Sequence, residues 1–271
     1  MIRNDGITRI GQTKSGIRLH TPVARMADIA YLCNNSGKVQ IGGDWYLQNF
    51  GTLGTSWWLR AYNAVIDGNI PTENITLGVA TYAGCIGDTA TSRRFVSDAA
   101  LPSALGHGSY TFELIWYDRG GKNDIEAAQT NRNYFAERAP SLWFIWHNAA
   151  SDNLAVASAD GCGHNGWTNN NYWSGTGARH LLVSLNAATG VLTRCLNGAI
   201  TASTGQSPVT TTNSIKLSVL GSVDGHSKYV SASTICRMSI WQGFAATSTQ
   251  LTKRKNAVYA GTADVIRWAE I

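Results

Sequence analysis

The chain has 271 residues, of which 44% are hydrophobic and only 14% are charged, against roughly 25% charged residues in an average globular domain. Its net charge of +5 is scattered, apart from the cluster 253–255, which argues against a nucleic-acid-binding surface. No run of about 18 apolar residues predicts a transmembrane helix, and the first residues lack the apolar core of a secretory signal peptide. We therefore expect that the protein is synthesised in a cytoplasm. We expect it neither to bind nucleic acid nor to insert into a membrane.

Residues 1–55 are punctuated by glycine and contain only short alternating pieces, which predicts an N-terminal arm or a small accessory β region. From residue 56 the chain has strand-like runs, such as WWLRAYNAV, NITLGVATYAG and SYTFELIWYDRG. In the last run, the residues from Tyr110 to Tyr117 alternate between two faces that both carry apolar groups, as in a two-sheet sandwich. Residues 56–271 are predicted to form one β-sandwich domain.

The middle of the chain holds two less regular segments. Residues 123–138 contain enough Ala, Glu and Gln for a short helix, and a surface excursion between strands is the alternative. The run SLWFIWHN, which begins at Ser141, predicts a strand. Residues 160–177, DGCGHNGWTNNNYWSGTG, predict a long polar loop, and long loops in compact domains often carry function or form contacts.

Two local signatures follow in the last third of the chain. Residues 179–198, RHLLVSLNAATGVLTRCLNG, contain two runs of period-two alternation and end in Asn197-Gly198, the dipeptide that best suits a type I′ turn. They predict a hairpin and the turn after it. Thr247 and Gln250 have the spacing of a capping box, and Gly261 stands where a helix commonly ends, which predicts one short C-terminal helix.

Four segments, in order, carry a resemblance: SYTFELIWYDRG, RHLLVSLNAATGVLTRCLNGAITAS, LSVLGS and ICRMSIWQGFAATSTQLTKRKNAVYAG. They resemble the laminin-G-like group of the concanavalin A-like lectin and glucanase superfamily over residues 74–261. In that group, a hairpin ending in Asn-Gly precedes a Leu-Gly-rich strand, a strand ending in Ile-Trp, and a short helix. The resemblance implies an all-β fold, a two-sheet antiparallel β-sandwich of the jelly-roll, concanavalin A-like type.

The same superfamily includes glycoside hydrolases, which need an acid and a base or nucleophile at fixed separation. The hydrolases usually supply these groups as Glu-x-Asp-x-(x)-Glu on one strand, a pattern that this sequence lacks. Glu113 and Asp118 have odd spacing, which predicts opposite faces of a strand. No nucleophile elbow or phosphate-binding loop is present either. We expect no enzymatic activity and no catalytic residue; a glycoside hydrolase that depends on Glu113 is the last alternative.

The loop at 160–177 supplies the candidate ligand-binding residues. Aromatic rings cover the apolar face of a sugar, and amides bind its hydroxyl groups, but aromatic rings are equally enriched in subunit contacts. Glycan contact and subunit contact both stay open for this site. Its residues are Trp167, Asn169, Asn170, Asn171, Tyr172 and Trp173.

We predict no metal and no cofactor, with calcium as the alternative, because several lectins of this fold bind it through oxygen ligands. The calcium candidates near the loop are Asp152, Asp160 and Asn165, although Asn and Gly also suit turns. An odd number of well-separated cysteines favours reduced, structural thiols. The five are Cys33, Cys85, Cys162, Cys195 and Cys236.

Low charge, reduced cysteines, a β-sandwich and an arm together favour a non-enzymatic structural protein of a virus particle, such as a phage decoration, fibre or tail component. The expected location is the virion, after synthesis in the host cytoplasm. The expected partners are other copies of the chain in a homo-oligomer, other particle proteins, and surface glycans. A carbohydrate-binding module or lectin is the first alternative.

Overall fold

The protein is described by a computed structural model that covers residues 25–54, 58–62, 70–87, 93–100, 108–118, 131–136, 144–148, 153–157, 166–170, 177–206, 216–220 and 233–268. For residues 131–136, 144–148, 153–157 and 166–170 it describes the backbone and its pairing. Within these ranges the chain forms nineteen strands and one helix, which confirms the all-β prediction. No helix in the described part of the chain is long and apolar enough to cross a bilayer.

The strands are β1 (Arg25–Met26), β2 (Ile29–Leu32), β3 (Lys38–Ile41), β4 (Asp44–Leu47), β5 (Leu59–Tyr62), β6 (Thr72–Leu77), β7 (Ala80–Ile86), β8 (Arg94–Ala100), β9 (Tyr110–Asp118), β10 (Asn131–Ala136), β11 (Phe144–Asn148), β12 (Asn153–Ala157), β13 (Gly166–Asn170), β14 (Gly177–Asn186), β15 (Val191–Leu196), β16 (Ala199–Ser203), β17 (Lys216–Val219), β18 (Thr234–Gln242) and β19 (Arg267–Trp268). The helix α1 is Ser248–Tyr259.

Two antiparallel sheets form the sandwich. In the described residues one sheet has nine strands, in the order β13-β12-β11-β10-β17-β8-β5-β4-β3. The other has eight, in the order β16-β15-β14-β9-β18-β7-β6, with β2 paired to β18. The main core contains Leu47 and Phe95 from the first sheet together with Leu114, Val183 and Met238 from the second. Each buried side chain of this size stabilises the fold by about 1.5–3 kcal/mol, so the apolar faces drive the two sheets together.

Residues 25–54 contribute strands to both sheets. Strand β2 pairs with β18 in the eight-stranded sheet, whereas β3 and β4 pair with each other and extend the nine-stranded sheet through β5. Described residues before position 55 thus take part in both sheets, and the domain boundary at that position stays a prediction. Residues 1–24 of the predicted arm lie outside the described residues.

Two predicted segments differ from the structure. Asn131–Ala136 is a strand that pairs with β11 and β17, so the helix alternative for 123–138 is wrong over these residues. Gly166–Asn170 is also a strand, whereas a loop was predicted. Pairing with β12 provides partners for its backbone N–H and C=O groups, and local composition does not reveal such pairing.

The hairpin and the helix agree with the sequence patterns. Strands β14 and β15 pair from Leu181 opposite Leu196 to Asn186 opposite Val191. After them, Asn197 and Gly198 have φ angles of 50° and 96°, as a type I′ turn requires. Thr247 caps α1 with its side chain, and the capping box with Gln250 is complete.

Candidate functional site

Aromatic and charged side chains lie together on the outward face of the nine-stranded sheet. In β4 and β5, Leu47 and Leu59 are buried in the core. Their neighbours Tyr46 and Arg60 have the opposite parity and therefore point away from the core, because successive side chains of a strand alternate between faces. We call this surface the β4–β5–β8 patch. Its residues are Asp44, Tyr46, Trp58, Arg60, Tyr62, Arg94 and Asp98.

The strand register places these side chains next to one another. Tyr46 lies opposite Arg60 across β4 and β5, and Tyr62 lies opposite Arg94 across β5 and β8. The rings of Tyr46 and Trp58 have centroids 6.3 Å apart and are tilted by 54°. Ring pairs at this separation attract each other, which helps to hold the two rings in place.

The two arginines of the patch are held by Tyr62 and by Asp44. The Cζ atoms of Arg60 and Arg94 lie 5.6 Å and 4.9 Å from the centroid of the Tyr62 ring. Arg60 also donates from Nη2 to Oδ2 of Asp44 at 2.6 Å, and these two side chains are 37% and 43% exposed. The Arg60 guanidinium is therefore positioned by protein contacts and still accessible to a ligand.

The electrostatic environment favours the protonated forms of Tyr46 and Arg60 in the patch. Burial, and then the nearby Asp98 carboxylate, raise the pKa of the Tyr46 phenol, although Arg60 acts in the opposite direction. The hydrogen bond and charge of Asp44 raise the pKa of Arg60. The phenol therefore keeps its proton and remains a hydrogen-bond donor.

The arrangement combines two kinds of group that sugar recognition requires. The Tyr46 and Trp58 rings provide apolar surface, and the arginines and carboxylates provide donors and acceptors for hydroxyl groups. Sequence reasoning missed this surface. The available signal is the alternation of Trp58, Arg60 and Tyr62 within WWLRAYNAV, which places the three side chains on one face of the predicted strand.

A second polar group is buried between the eight-stranded sheet and α1. Glu113 of β9 is fully buried, and its Oε1 lies 3.0 Å from Nε2 of His180. Arg237 donates from Nη2 to Oε2 at 2.9 Å. Arg254 of α1 donates to both oxygens, from Nε to Oε1 at 3.1 Å and from Nη2 to Oε2 at 2.7 Å. We call these four residues the Glu113 cluster.

The charges in the Glu113 cluster keep the glutamate ionised. Burial alone would raise the pKa of its carboxyl, but the Arg237 and Arg254 guanidiniums and the hydrogen bond from His180 hold that pKa well below its ordinary value. A general acid needs a raised pKa and a path to substrate. Glu113 has neither, so its contacts indicate a role in joining the helix to the sheet.

Three of the predicted ligand residues are described, and the strand order separates these three from the β4–β5–β8 patch. Trp167, Asn169 and Asn170 lie in β13, opposite Val156, Leu154 and Asn153 of β12. Strand β13 is at one end of the nine-stranded order, and β4 is near the other end. The remaining predicted ligand and calcium residues lie outside the described residues: Asn171, Tyr172, Trp173, Asp152, Asp160 and Asn165.

The described residues include no cluster suited to a metal ion, and their thiols are buried. In the part of the chain that the structure describes, no three His, Cys, Asp or Glu residues are grouped so that they could hold a metal ion. The free cysteines Cys33, Cys85, Cys195 and Cys236 are all buried. Cys162 lies outside the described residues.

No protein-family model and no curated protein sequence matches the chain. Among solved structures, the receptor-binding domain of botulinum neurotoxin mosaic serotype C/D is similar, with a TM-score of 0.54 and 8% identity over 87% of this chain and 51% of that chain. The binding domain of Paraclostridial Mosquitocidal Protein 1 has a TM-score of 0.54 and 11% identity over 86% of this chain and 52% of that one. The chain thus spans about half the length of these two structures.

A third similar structure is a separate domain of comparable size. It is domain 4 of AbnA, a GH43 extracellular arabinanase from Geobacillus stearothermophilus, in complex with arabinotriose. The TM-score is 0.50 and the identity is 14%, over 85% of this chain and 98% of that domain. At such low identities the similarities establish the fold alone, which is a β-sandwich also found in binding domains of larger proteins.

Proposed function

We propose that this chain is a non-catalytic carbohydrate-binding β-sandwich whose sugar-contacting surface is the β4–β5–β8 patch. The observation that carries the proposal is the pairing of the Tyr46 and Trp58 rings next to the Arg60 and Asp44 ion pair on one exposed sheet face. The β-sandwich shared with the arabinotriose-bound domain of AbnA supports the same class of ligand. We also propose that this β-sandwich belongs to the laminin-G-like group, which four segments of the sequence resemble.

The physical reason is complementarity between the patch and a sugar ring. One face of a pyranose or furanose is apolar and packs on an aromatic ring, while its edge carries hydroxyl groups. Asp44 and Tyr62 hold Arg60 before any ligand arrives, so little side-chain entropy is lost when Arg60 donates to a hydroxyl.

The hydrolase alternative is less well supported than binding. It depends on Glu113, whose two oxygens are already occupied by His180, Arg237 and Arg254 in a fully buried position. A sugar cannot reach this carboxylate without displacing α1.

The test compares variants at the two candidate sites. Binding to a panel of plant, bacterial and animal polysaccharides is measured by calorimetry for the wild type and for Tyr46→Ala, Trp58→Ala, Trp167→Ala and Trp173→Ala. We expect the first two variants to weaken binding about tenfold or more, equivalent to about 1.4 kcal/mol or more, while the last two bind like the wild type. The opposite pattern would assign binding to the predicted loop, and a wild type that binds no polysaccharide would overturn the proposal.

A structural role in a virus particle is our second proposal. The low content of charged residues and an exposed edge support it. Strand β3 ends the nine-stranded order of the described residues and carries Ile41, which is 51% exposed, and such an edge can pair with another chain. Sedimentation of the purified protein should show a homo-oligomer, and the protein should co-sediment with particles. A monomer at high concentration that never co-sediments would contradict this role.

A further inference from the structure

A cavity of about 110 Å³ lies between α1 and the segment 262–268. Its described lining includes three cationic residues, Lys253, Arg254 and Arg267, but one acidic residue, Asp264. The Asp264 carboxylate is held by its own segment, because its Oδ1 accepts hydrogen bonds from the backbone N–H groups of Ile266 and Arg267. The cavity lies on the side of the molecule where α1 covers the eight-stranded sheet, away from the β4–β5–β8 patch.

Arg254 is a fixed, buried part of the cavity wall. Its side chain is nearly inaccessible, and its guanidinium donates to Glu113 and, from Nη1, to the carbonyl oxygen of Arg267 at 3.0 Å. The rings of Trp241 and Trp268 lie 5.1 Å and 5.4 Å from its Cζ atom. A guanidinium held in this way keeps its position whether or not a ligand is present.

The charges below the cavity do not balance. Arg237 and Arg254 are both buried, and both are paired with the single carboxylate of Glu113. His180 adds no negative charge, and burial lowers the pKa of its imidazole, which remains neutral near pH 7. The Glu113 cluster thus carries one excess positive charge. The carbonyl oxygens of Ala263 and Arg267 accept from the two guanidiniums and offset part of it, but a buried charge without a full counter-charge is costly.

The rim provides further donors. Arg267 is exposed, and no described residue accepts a hydrogen bond from its side chain. Gln250 uses Oε1 to accept from the backbone N–H of Thr247 in the capping box, which leaves its Nε2 amide as a donor. Cations and an amide donor around a small cavity match the requirements of an oxyanion, whose oxygens accept several hydrogen bonds.

We propose that this cavity binds an oxyanion. The oxyanion is either a free ion, such as sulfate or phosphate, or a sulfate or carboxylate group on an acidic oligosaccharide. Arg254 forms the base of the site, and Arg267 closes it from the rim. The bound anion offsets the excess charge of the Glu113 cluster and links α1 to the segment 262–268. This site is independent of the proposed sugar contact at the β4–β5–β8 patch.

The test is thermal unfolding of the full chain in sodium sulfate and in sodium chloride at matched ionic strength. Arg267→Gln removes a rim cation that has no described side-chain partner, so folding should be preserved. Lys255→Gln is the matched control, because Lys255 is on the same helix but does not line the cavity and stacks on the Tyr259 ring at 4.4 Å. Arg254 is left intact because its loss would disrupt the Glu113 cluster.

We expect sulfate to raise the Tm of the wild type and of Lys255→Gln with a saturable component, and we expect that component to be absent from Arg267→Gln. Sulfate also stabilises folded proteins in general by exclusion from their surfaces, an effect that does not saturate and does not depend on one arginine. An equal rise in all three proteins would therefore overturn the proposal.

A second set of measurements separates the two sources of the oxyanion. Phosphate, a sulfated oligosaccharide and a uronate oligosaccharide are each tested against a neutral oligosaccharide on the wild type, Arg267→Gln and Trp58→Ala. An Arg267-dependent response to the inorganic ions alone assigns a free-ion site, and one to the acidic oligosaccharides alone assigns a ligand-borne group. Either response should persist in Trp58→Ala. The absence of any Arg267-dependent response would overturn the proposal whatever the β4–β5–β8 patch binds.

Discussion

Arg254 of the helix forms a two-point ion pair with Glu113 of the central strand β9, with Nε to Oε1 at 3.1 Å and Nη2 to Oε2 at 2.7 Å. The two residues are 141 positions apart in the chain. Parallel hydrogen bonds of this kind fix the orientation of both groups as well as their distance. The pair therefore fixes how α1 lies on the eight-stranded sheet.

Replacing Glu113 should destabilise the fold. Glu113→Gln leaves two buried guanidiniums without a counter-charge, and removing one partner of a buried ion pair costs about 3–5 kcal/mol. We expect the free energy of unfolding, measured with urea, to fall by that order. Asp44→Asn is the control, because it breaks an ion pair whose members are both well exposed and should cause only a small change. If both variants lost the same stability, the Glu113 cluster would not join the helix to the sheet.

The stability should decrease in acid in two stages. Burial lowers the pKa of His180, so below the ordinary value of 6.5 the unfolded chain binds a proton that the folded chain does not. The pKa of Glu113 is also lowered in the fold, so a second loss begins below its ordinary value of 4.5. Urea unfolding from pH 8 down to about pH 3 checks both stages. In His180→Gln the first decrease, between about pH 6.5 and 5, should be weaker than in the wild type, and an unchanged profile would contradict the assignment.

Gly78 should tolerate no side chain. Its φ is +64°, and an added Cβ would stand 2.6 Å from the carbonyl oxygen of Tyr259 at the end of α1. Gly42 is a matched control, since its φ is +58° but nothing lies within 4 Å of an added Cβ. Both Ala variants carry backbone strain of about 1–2 kcal/mol, so the additional loss in Gly78→Ala measures the contact with the helix. Equal melting temperatures for the two variants would refute that contact.

The buried thiols should be unreactive in the folded protein. Burial raises the pKa of Cys85 to about 12, although Lys38 and Arg93 act in the opposite direction. Burial likewise raises the pKa of Cys236 and Cys33. Because the thiolate is the reactive form, iodoacetamide at pH 8 should not label these residues in buffer but should label them in urea. Peptide mass spectrometry measures each cysteine separately, and rapid native labelling of Cys85 would contradict its burial.

Local patterns in the sequence were sufficient for several elements. Alternation at period two predicted β9, β14 and β15, and Asn197-Gly198 predicted the turn that follows. The capping-box spacing predicted α1 with its first residues. In each case the interacting residues are near one another in the chain. A short sequence pattern is therefore enough to predict the interaction.

Pairing between distant segments could not be predicted in this way. Alternation determines which residues of one strand share a face, but it does not determine which strands become neighbours. The β4–β5–β8 patch exists because Tyr46 lies opposite Arg60 and Tyr62 lies opposite Arg94 across three neighbouring strands. Strand β13 likewise depends on its pairing with β12. The composition of its segment, taken alone, predicts a loop.

The sequence by itself determined an all-β chain with a capped helix near its end, because strand alternation, turn residues and capping groups act over a few positions. Only the tertiary structure decided which charges surround Glu113 and which side chains form the β4–β5–β8 patch. A carboxylate is catalytic or structural according to the charges that surround it, and those charges come from Arg237 and Arg254, 124 and 141 positions away. The β4–β5–β8 patch arises in the same way, because packing of the opposite face orients several strands together.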